Sequence, residues 1–279
     1  FNTRKEIFQN KKVREAITYA FDFKWSNQNL FYNQYQRCTS FFSNSELSAN
    51  IKPSDNERKL ANELFIPEKK VVNKNLSFIN ESSDIRENLK KAKDIFDELG
   101  WEVRKNILHD DNGNPVEFDF LLAQKGFERI LAPFAKNLSK LGIKLNYRTI
   151  DVSLYQRRVD TFDFDMMVMS YPQKQSPGNE LFAMFHSSSS DKQGSYNVGG
   201  IKNNSVDKLI DKIVFSSSRS EMITASHLLD RLLWNEFYLL PNWYINQHRI
   251  AYFDKFSFPE ELPRYYQPTN YILKTWSLK

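Results

Sequence analysis

Residues 116–171 alternate between two hydrophobic periodicities, and this alternation constrains the fold more than any other feature of the sequence. Val116 to Leu122 alternates as a strand does, and Phe127 to Leu141 repeats apolar residues at helical spacing. A strand at Ile143 to Tyr147, a helix at Val152 to Asp160 and a strand at Phe164 to Tyr171 follow. Strands joined by short helical connections favour right-handed crossovers. The sequence therefore predicts an α/β fold with an open, mostly parallel sheet and helices on both faces.

The flanking segments are predicted to be mostly helical. Further helices are expected at Lys11 to Phe23, Glu57 to Phe65, a segment capped by Asp84 and ended by Gly100, Val206 to Phe215 and Ser220 to Phe237. The other segments are an aromatic, irregular stretch at 25–42, a connection at 71–84, an edge strand at 239–244 that contains Pro241, and loop-like chain from Ile250 onward.

A polar loop follows the third predicted strand. The apolar run from Met166 to Met169 ends at Ser170, and residues 171–180 contain two prolines, a glycine and several amide, hydroxyl and charged side chains. α/β proteins usually place a ligand at the carboxyl edge of the sheet. The loop is therefore either a binding loop or an ordinary surface connection.

Motifs for catalysis, metals and phosphates are absent from the sequence. The four histidines are not spaced as metal ligands, and there is no HExxH, GxGxxG, GxxxxGK[ST] or GxSxG motif. Asp163, Asp165 and Glu180 are the acidic candidates for a hydrolase, although solvation at a strand edge explains the two aspartates equally well. We therefore expect neither an enzyme nor a cofactor.

The basic charge raises nucleic acid as an alternative partner. The net charge is +5 with a pI of about 9.0, and tyrosine, phenylalanine and arginine interleave in residues 31–42, where bases could stack. The charge is spread along the chain, however, and those aromatic residues lie beside apolar stripes that favour packing. We therefore expect no nucleic-acid partner. The single cysteine, Cys38, has no partner for an internal disulfide.

The chain resembles the second large lobe of periplasmic oligopeptide-binding proteins, the solute-binding proteins of family 5. Its opening FNTRKEIFQNKKVREAITYAFDFKWSNQNLFYNQYQR is similar to the start of that lobe, and the similarity continues in AKDIFDELGW, LGIKL, DVSLYQRRV, DFDMM and YNVGGIKNNSVDKLIDKI. The stretch FDFKWSNQNLFYNQYQRCTSFFSNSEL is closer to the Yej-type branch, associated with oligopeptides and the peptide–nucleotide microcin C. The order and spacing of these motifs are more specific than any one of them.

The resemblance implies a domain organisation and a function. Residues 1–249 would form the second lobe, residues 250–279 would return toward a first lobe upstream, and the chain would be the carboxyl-terminal portion of a longer protein. That protein would be a periplasmic, monomeric substrate-binding component of an ABC importer. It would close two lobes around an oligopeptide or modified peptide and deliver it to an inner-membrane permease.

The resemblance also implies where the ligand binds. In the family, an aromatic residue near the end of the strand equivalent to 164–171 is followed three residues later by an aspartate that pairs with the peptide's amino group. Here these positions hold Tyr171 and Lys174, and a lysine repels an ammonium group. Either Glu180 accepts the amino group or the ligand's amino end is blocked, as in formylated peptides. We favour the second alternative.

Seven residues follow as candidate ligand contacts. They are Tyr171, Gln173, Ser176, Asn179 and Glu180 from the polar loop, with Arg37 and Ser40 from the loop after the aromatic helix. Turn bonds within the loop and a surface ion pair of Arg37 would explain several of them equally well.

Overall fold

The computed structural model describes residues 1–76, 84–263 and 266–279 of the chain. The ten α-helices within these residues are α1 Lys11–Tyr19, α2 Phe23–Leu30, α3 Asp55–Glu63, α4 Ile85–Glu98, α5 Glu128–Lys140, α6 Val152–Asp160, α7 Glu180–Phe185, α8 Asn204–Val214, α9 Arg219–Asn235 and α10 Pro268–Thr275. The nine strands are β1 Gln36–Arg37, β2 Glu102–Arg104, β3 Ile107–His109, β4 Glu117–Leu122, β5 Lys144–Thr149, β6 Met166–Met167, β7 Trp243–Tyr244, β8 Phe256–Ser257 and β9 Ser277–Leu278.

A three-stranded parallel sheet carries the strand–helix alternation predicted for residues 116–171. Its order is β5-β4-β6, so the chain crosses from β4 to β5 on one side and returns to pair β6 with the other side of β4. Both crossovers are helical, through α5 and α6. The predicted α/β fold with a parallel sheet is therefore confirmed.

Helices cover both faces of this sheet because β4 has apolar residues on both sides. Phe118, Phe120 and Leu122 enter the main core, to which α5 contributes. Leu121 points the other way and packs with Phe164 in a smaller cluster to which α6 adds partly buried side chains. In a strand, successive side chains point to opposite faces, which explains why neighbouring positions belong to different clusters.

The third predicted strand is much shorter than the sequence indicates. Residues 164–171 are apolar throughout most of their length, but only Met166 and Met167 pair with β4, opposite Phe120 and Leu121. The chain leaves the sheet after Met167, and its next residues line a cavity described below. Apolar character in this segment therefore reflects burial against other elements rather than strand pairing.

Local capping explains two further differences at the start of the chain. The helix predicted for 11–23 ends at Tyr19, and α2 begins at Phe23 and runs to Leu30, into the stretch at 25–42 that was predicted to be irregular. Asp22 is the cap of α2, because its carboxylate accepts a hydrogen bond from the backbone N–H of Trp25 at 2.9 Å. Apolar spacing continued across this break, so periodicity alone could not show it.

The segment from Ile250 onward was predicted to be loop-like, and this was wrong, because it contains α10 and the paired strands β8 and β9. The remaining predicted helices are present with shifted ends. Asp84 caps α4 as predicted, by accepting a hydrogen bond from the backbone N–H of Arg86. The edge strand predicted for 239–244 is reduced to β7, which pairs antiparallel with β1; Pro241 has no N–H to donate to a ladder. The connection predicted for 71–84 lies partly outside the described residues.

Two glycines that close helices offer a matched test of backbone packing. Gly100 and Gly142 have positive φ angles of 77° and 81°, as residues after a helix end often do. A Cβ on Gly100 would meet nothing within 4 Å, whereas one on Gly142 would lie 2.6 Å from the backbone nitrogen of Leu108. That nitrogen donates a hydrogen bond to the Gly142 carbonyl, so it is already fixed at close approach.

Gly142→Ala is therefore expected to destabilise the protein more than Gly100→Ala. We expect about 1 kcal/mol for Gly100→Ala, from the left-handed conformation alone. Gly142→Ala should cost about 2–3 kcal/mol, because a steric conflict with backbone is added. Urea unfolding of both variants would measure the difference. Equal losses would contradict the close approach between Gly142 and the β3 strand.

Candidate functional site

A cavity of about 460 Å³ opens at the carboxyl edge of the parallel sheet. The strand order β5-β4-β6 places a reversal of connection direction between β4 and β6, which is where open parallel sheets hold their ligands. Its main walls are formed by Phe120 of β4, β6 with the following chain as far as Gln175, the first half of α5, residues 238–244, and residues between Cys38 and Ser45. The described lining is completed by Phe1, Phe21, Phe127, Phe164, Val198 and Gly199.

One wall is aromatic and is organised around Trp243. The indole stacks nearly parallel to the rings of Phe21, Phe23 and Phe127, with centroids 6.2 Å away in each case. Phe31 lies at 4.7 Å. β7, which carries Trp243, is held in place by its pairing with β1. The wall is therefore rigid, apolar surface supplied by segments that are distant in sequence.

The charge of the lining is the second feature of this cavity. No aspartate or glutamate is present among the described residues that line it, and Lys174 is the single charged side chain in that set. The polar groups near it are neutral hydroxyls and amides, contributed by residues such as Ser43, Asn44 and Gln173. An apolar cavity with a few polar groups is the usual form of a small-molecule site.

Tyr171 lies in the cavity wall, as a partly buried ring that contacts two phenylalanines. Its ring centroid is 5.2 Å from that of Phe185 and 6.5 Å from that of Phe41. Burial raises the pKa of the Tyr171 phenol, and the nearby positive charge of Arg4 partly offsets this effect. The phenol therefore stays neutral over the physiological pH range.

Gln173 also lines the cavity, and its amide is not satisfied within the protein. Both the Nε2 and the Oε1 atom are buried, and neither has a hydrogen-bond partner within the described residues. The Oε1 atom of Glu180 is in the same situation, although Glu180 does not belong to the lining. Buried polar atoms without a partner are costly and are found at functional sites.

The other two loop candidates stabilise the loop itself. Ser176 accepts a hydrogen bond from Nη1 of Arg219 at 3.3 Å, and the same guanidinium binds the carbonyl of Gln175 and the carboxylate of Glu46. Asn179 is exposed at the residue before α7. Arg219 thus fixes the loop to the start of α9, beside the cavity rather than inside it.

Arg37 and Ser40 occupy different positions relative to the cavity. The Arg37 guanidinium lies over the rings of Phe21 and Phe23, and its burial lowers the pKa to about 10. Ser40 lines the cavity, but its hydroxyl donates to the carboxylate of Asp230 at 2.8 Å. Of the seven candidates, Tyr171, Gln173 and Ser40 therefore lie in the lining.

The sequence analysis did not identify the lining residues that are distant in sequence from the polar loop. Trp243, Asn242 and Phe127 line the cavity, yet only Phe127 had a usable signal, because it directly precedes α5, the helix that follows the carboxyl end of β4. Nothing in the sequence near Pro241 indicates that it faces β6 across a cavity.

The two aspartates that were candidates for a hydrolase are engaged elsewhere. Asp163 pairs with Arg158 at 3.0 Å, and Asp165 accepts from the backbone N–H of Asp119 and lies 3.5 Å from Lys5. Neither belongs to the cavity lining. In the described part of the chain, no three His, Cys, Asp or Glu side chains gather as a metal site would require.

The aromatic residues that suggested nucleic-acid stacking are mostly used in packing. Phe31 and Tyr35 contact each other and Trp243, and Phe41 and Phe42 are buried. Stacking on bases needs exposed ring faces. None of the helices within residues 1–76, 84–263 and 266–279 has the length and apolar character needed to cross a bilayer.

Comparison with known proteins gives a consistent group of relatives. Residues 1–193 match the family model described as bacterial extracellular solute-binding proteins, family 5 middle. The probable peptide-binding protein YejA of Agrobacterium fabrum is 38% identical over 268 residues, covering 95% of this chain and 44% of that protein. The peptidoglycan-binding protein YepA of the same organism is 32% identical over 270 residues, with 94% and 43% covered.

A solved structure shows the same fold. The oligopeptide-binding protein AppA of Bacillus subtilis, in complex with a nonapeptide, matches with a TM-score of 0.68 at 21% identity. The match covers 100% of this chain and 49% of that one. The chain thus spans less than half the length of these relatives.

Proposed function

The chain belongs to the bacterial extracellular solute-binding proteins of family 5, and on that premise we propose that it forms one wall of a peptide-binding cleft. The complete protein would bind oligopeptides or peptide-like solutes and deliver them to the permease of an ABC importer. The observation that carries the proposal is the largely aromatic and apolar cavity at the carboxyl edge of the sheet. Such a cavity can bury peptide side chains, while neighbouring amides and hydroxyls bind the peptide backbone.

The proposed domain organisation also rests on membership of this family. Residues 1–249 would be the ligand-binding lobe, and residues 250–279 would return toward a further lobe. The exposed apolar surface of the second segment supports this division: Phe253, Leu273 and Leu278 are each more than two-thirds exposed. Tyr252 packs edge to face against Phe258 and Trp276, and Phe258 stacks on Trp276, so this segment has a small aromatic cluster of its own.

Binding would be coupled to movement of one lobe against the other, without catalysis. Closure of two lobes around a ligand buries it between surfaces that are each open in isolation. A cavity open on one side, as here, is suited to such closure. We place the protein in the periplasm, as a monomer, in line with the membership of an extracellular solute-binding family.

Seven residues are proposed to serve this site, in two groups. Tyr171 and Gln173 would contact the ligand directly, from the cavity lining. Ser176, Asn179 and Glu180 would shape the loop that borders it, and Ser40 and Arg37 would hold the opposite wall. The buried, unpartnered amide of Gln173 gives the strongest support for a direct contact.

Filling the cavity is expected to abolish peptide binding. Ser170 is an exposed residue of the lining, so Ser170→Trp can place an indole in the cavity without disturbing the core. In the complete protein as its gene encodes it, we expect more than a tenfold loss of affinity for bound peptides, measured by isothermal titration calorimetry. Ser139→Trp, on the exposed side of α5, is the matched control and should bind normally. Unchanged affinity of Ser170→Trp would exclude the cavity as the peptide site.

A further inference from the structure

The charge that the lining of the cavity presents to a ligand is positive. Lys174 is the charged side chain of its described lining, it is exposed, and it takes part in none of the ion pairs of the described residues. Arg4 lies near enough to Tyr171 for its positive charge to favour the ionised phenol, although burial has the larger effect and raises the pKa of that phenol. The carboxylate nearest to Arg4, on Asp191, is 3.9 Å away and mostly exposed. Among the described lining residues, a group that enters this cavity therefore meets the positive charge of Lys174 and no carboxylate.

A free ammonium does not fit these surroundings. Moving a charged group out of water is strongly unfavourable unless an opposite charge or several hydrogen-bond acceptors replace the solvent. No described residue of the lining offers the ammonium a carboxylate, and Lys174 would repel it. A carboxylate of the ligand has the complementary charge for the same position.

We propose that the cavity receives the carboxyl-terminal residue of the peptide, with an aromatic or large aliphatic side chain against the Trp243 wall and the terminal carboxylate at Lys174. This inference rests on the proposed function and adds the orientation and the end-group specificity of the ligand. Both alternatives that the sequence left open place the amino end of the peptide at this site. The present inference places the carboxyl end there, and this explains why the described lining has no carboxylate to pair with an ammonium group.

The shape and the polar groups of the cavity agree with this assignment. Aromatic side chains pack favourably on the edges and faces of other rings, and the wall around Trp243 presents Phe127 and Phe21 to the cavity. The buried amide of Gln173 has one donor and one acceptor without partners. A terminal residue offers both complements, since its carboxylate accepts and its amide N–H donates.

The test uses a defined pool of synthetic peptides rather than a guessed ligand. The pool contains random tetrapeptides to hexapeptides, each in four forms that combine a free or acetylated amino end with a free or amidated carboxyl end. The complete protein is equilibrated with the pool, and the retained peptides are identified by mass spectrometry. We expect at least tenfold enrichment of free carboxylates over amides, with aromatic and large aliphatic residues enriched at the last position.

Two charge variants test whether the preference for free carboxylates over amides arises in the cavity. Lys174→Gln should reduce the carboxylate-to-amide ratio at least fivefold while peptides are still retained. Lys59→Gln is the matched control, because Lys59 is an exposed lysine of α3 that does not line the cavity. It should leave the ratio unchanged.

Each contrary outcome has a distinct meaning. Equal retention of acids and amides would overturn the inference and leave peptide binding intact. Enrichment of free amines that is lost in Glu180→Gln would overturn it in favour of an amino end bound by Glu180. Enrichment of acetylated peptides regardless of their carboxyl end would overturn it in favour of a blocked amino end. Retention of no peptide would refute the proposed function and this inference together.

Discussion

Asp230→Ala is expected to lower the free energy of unfolding by about 3–5 kcal/mol, because it leaves a buried lysine without its counter-charge. The Asp230 carboxylate is fully buried and lies 2.9 Å from Nζ of Lys74, whose side chain is 2% exposed. It also accepts hydrogen bonds from the hydroxyl of Ser40 and from the backbone N–H groups of Phe41 and Ala49, all within 3.0 Å. Chemical unfolding monitored by circular dichroism would measure the loss.

Two controls separate the buried charge from other effects. Asp97→Ala removes an exposed partner of Lys93 on α4 and should change stability little, since solvent screens that pair. The double variant Lys74→Met with Asp230→Leu removes both buried charges and should be more stable than Asp230→Ala. A single variant as stable as the wild-type protein would contradict the burial of this pair.

Arg14→Met is expected to cost about 3–5 kcal/mol as well, for a different reason. The Arg14 guanidinium is buried and donates to four backbone carbonyls, those of Phe8 and Gln9 before α1 and those of Glu236 and Phe237 after α9. Methionine fills similar space but leaves all four acceptors without this donor. Thermal and urea unfolding would show the loss.

Arg104→Met provides the comparison for Arg14. Arg104 lies on the exposed β2–β3 hairpin, where its partner Glu102 is also exposed. Its replacement should leave stability nearly unchanged. If Arg14→Met were equally mild, the junction between the start of α1 and the end of α9 would not be a stabilising contact.

These buried polar groups also hold the cavity walls in position. Asp230 ties Ser40 and the backbone around Phe41 to α9, and both residues line the cavity. A second buried pair, Arg231 with Glu57, lies one residue further along α9 and fixes the start of α3. The loop before Glu180 is held by Arg219, at the start of the same helix. α9 is therefore the element on which the rim segments converge.

Much of the fold could be predicted because its signals are local. The alternation of strand-like and helix-like hydrophobic periodicity in residues 116–171 predicted the parallel sheet. Apolar residues at helical spacing and the glycine itself predicted the helix that Gly100 closes. The third strand was predicted to be too long because eight largely apolar residues resemble a strand whether they pair with a neighbour or line a cavity. Hydrophobicity reports burial and not hydrogen bonding.

The site could be predicted only in part, because half of its wall is distant in sequence. The polar loop after β6 was found from the rule that ligands lie at the carboxyl edge of parallel strands, and this rule places Tyr171 and Gln173 in the lining. Trp243 reaches the same cavity through pairing of β7 with β1, more than 200 residues earlier, as the register of Trp243 with Arg37 shows. Such contacts have no local signature.

The central claim is that this chain builds one wall of a peptide-binding cleft, and the composition of ligands carried by the complete protein tests it most directly. The protein would be purified natively and denatured, and the small molecules released would be identified by mass spectrometry against a control protein prepared in parallel. The account predicts short peptides or peptide-like molecules, present in near-stoichiometric amount and absent from the Ser170→Trp variant. Peptides released equally from the wild-type and variant proteins, or a released set no different from that of the control protein, would contradict it.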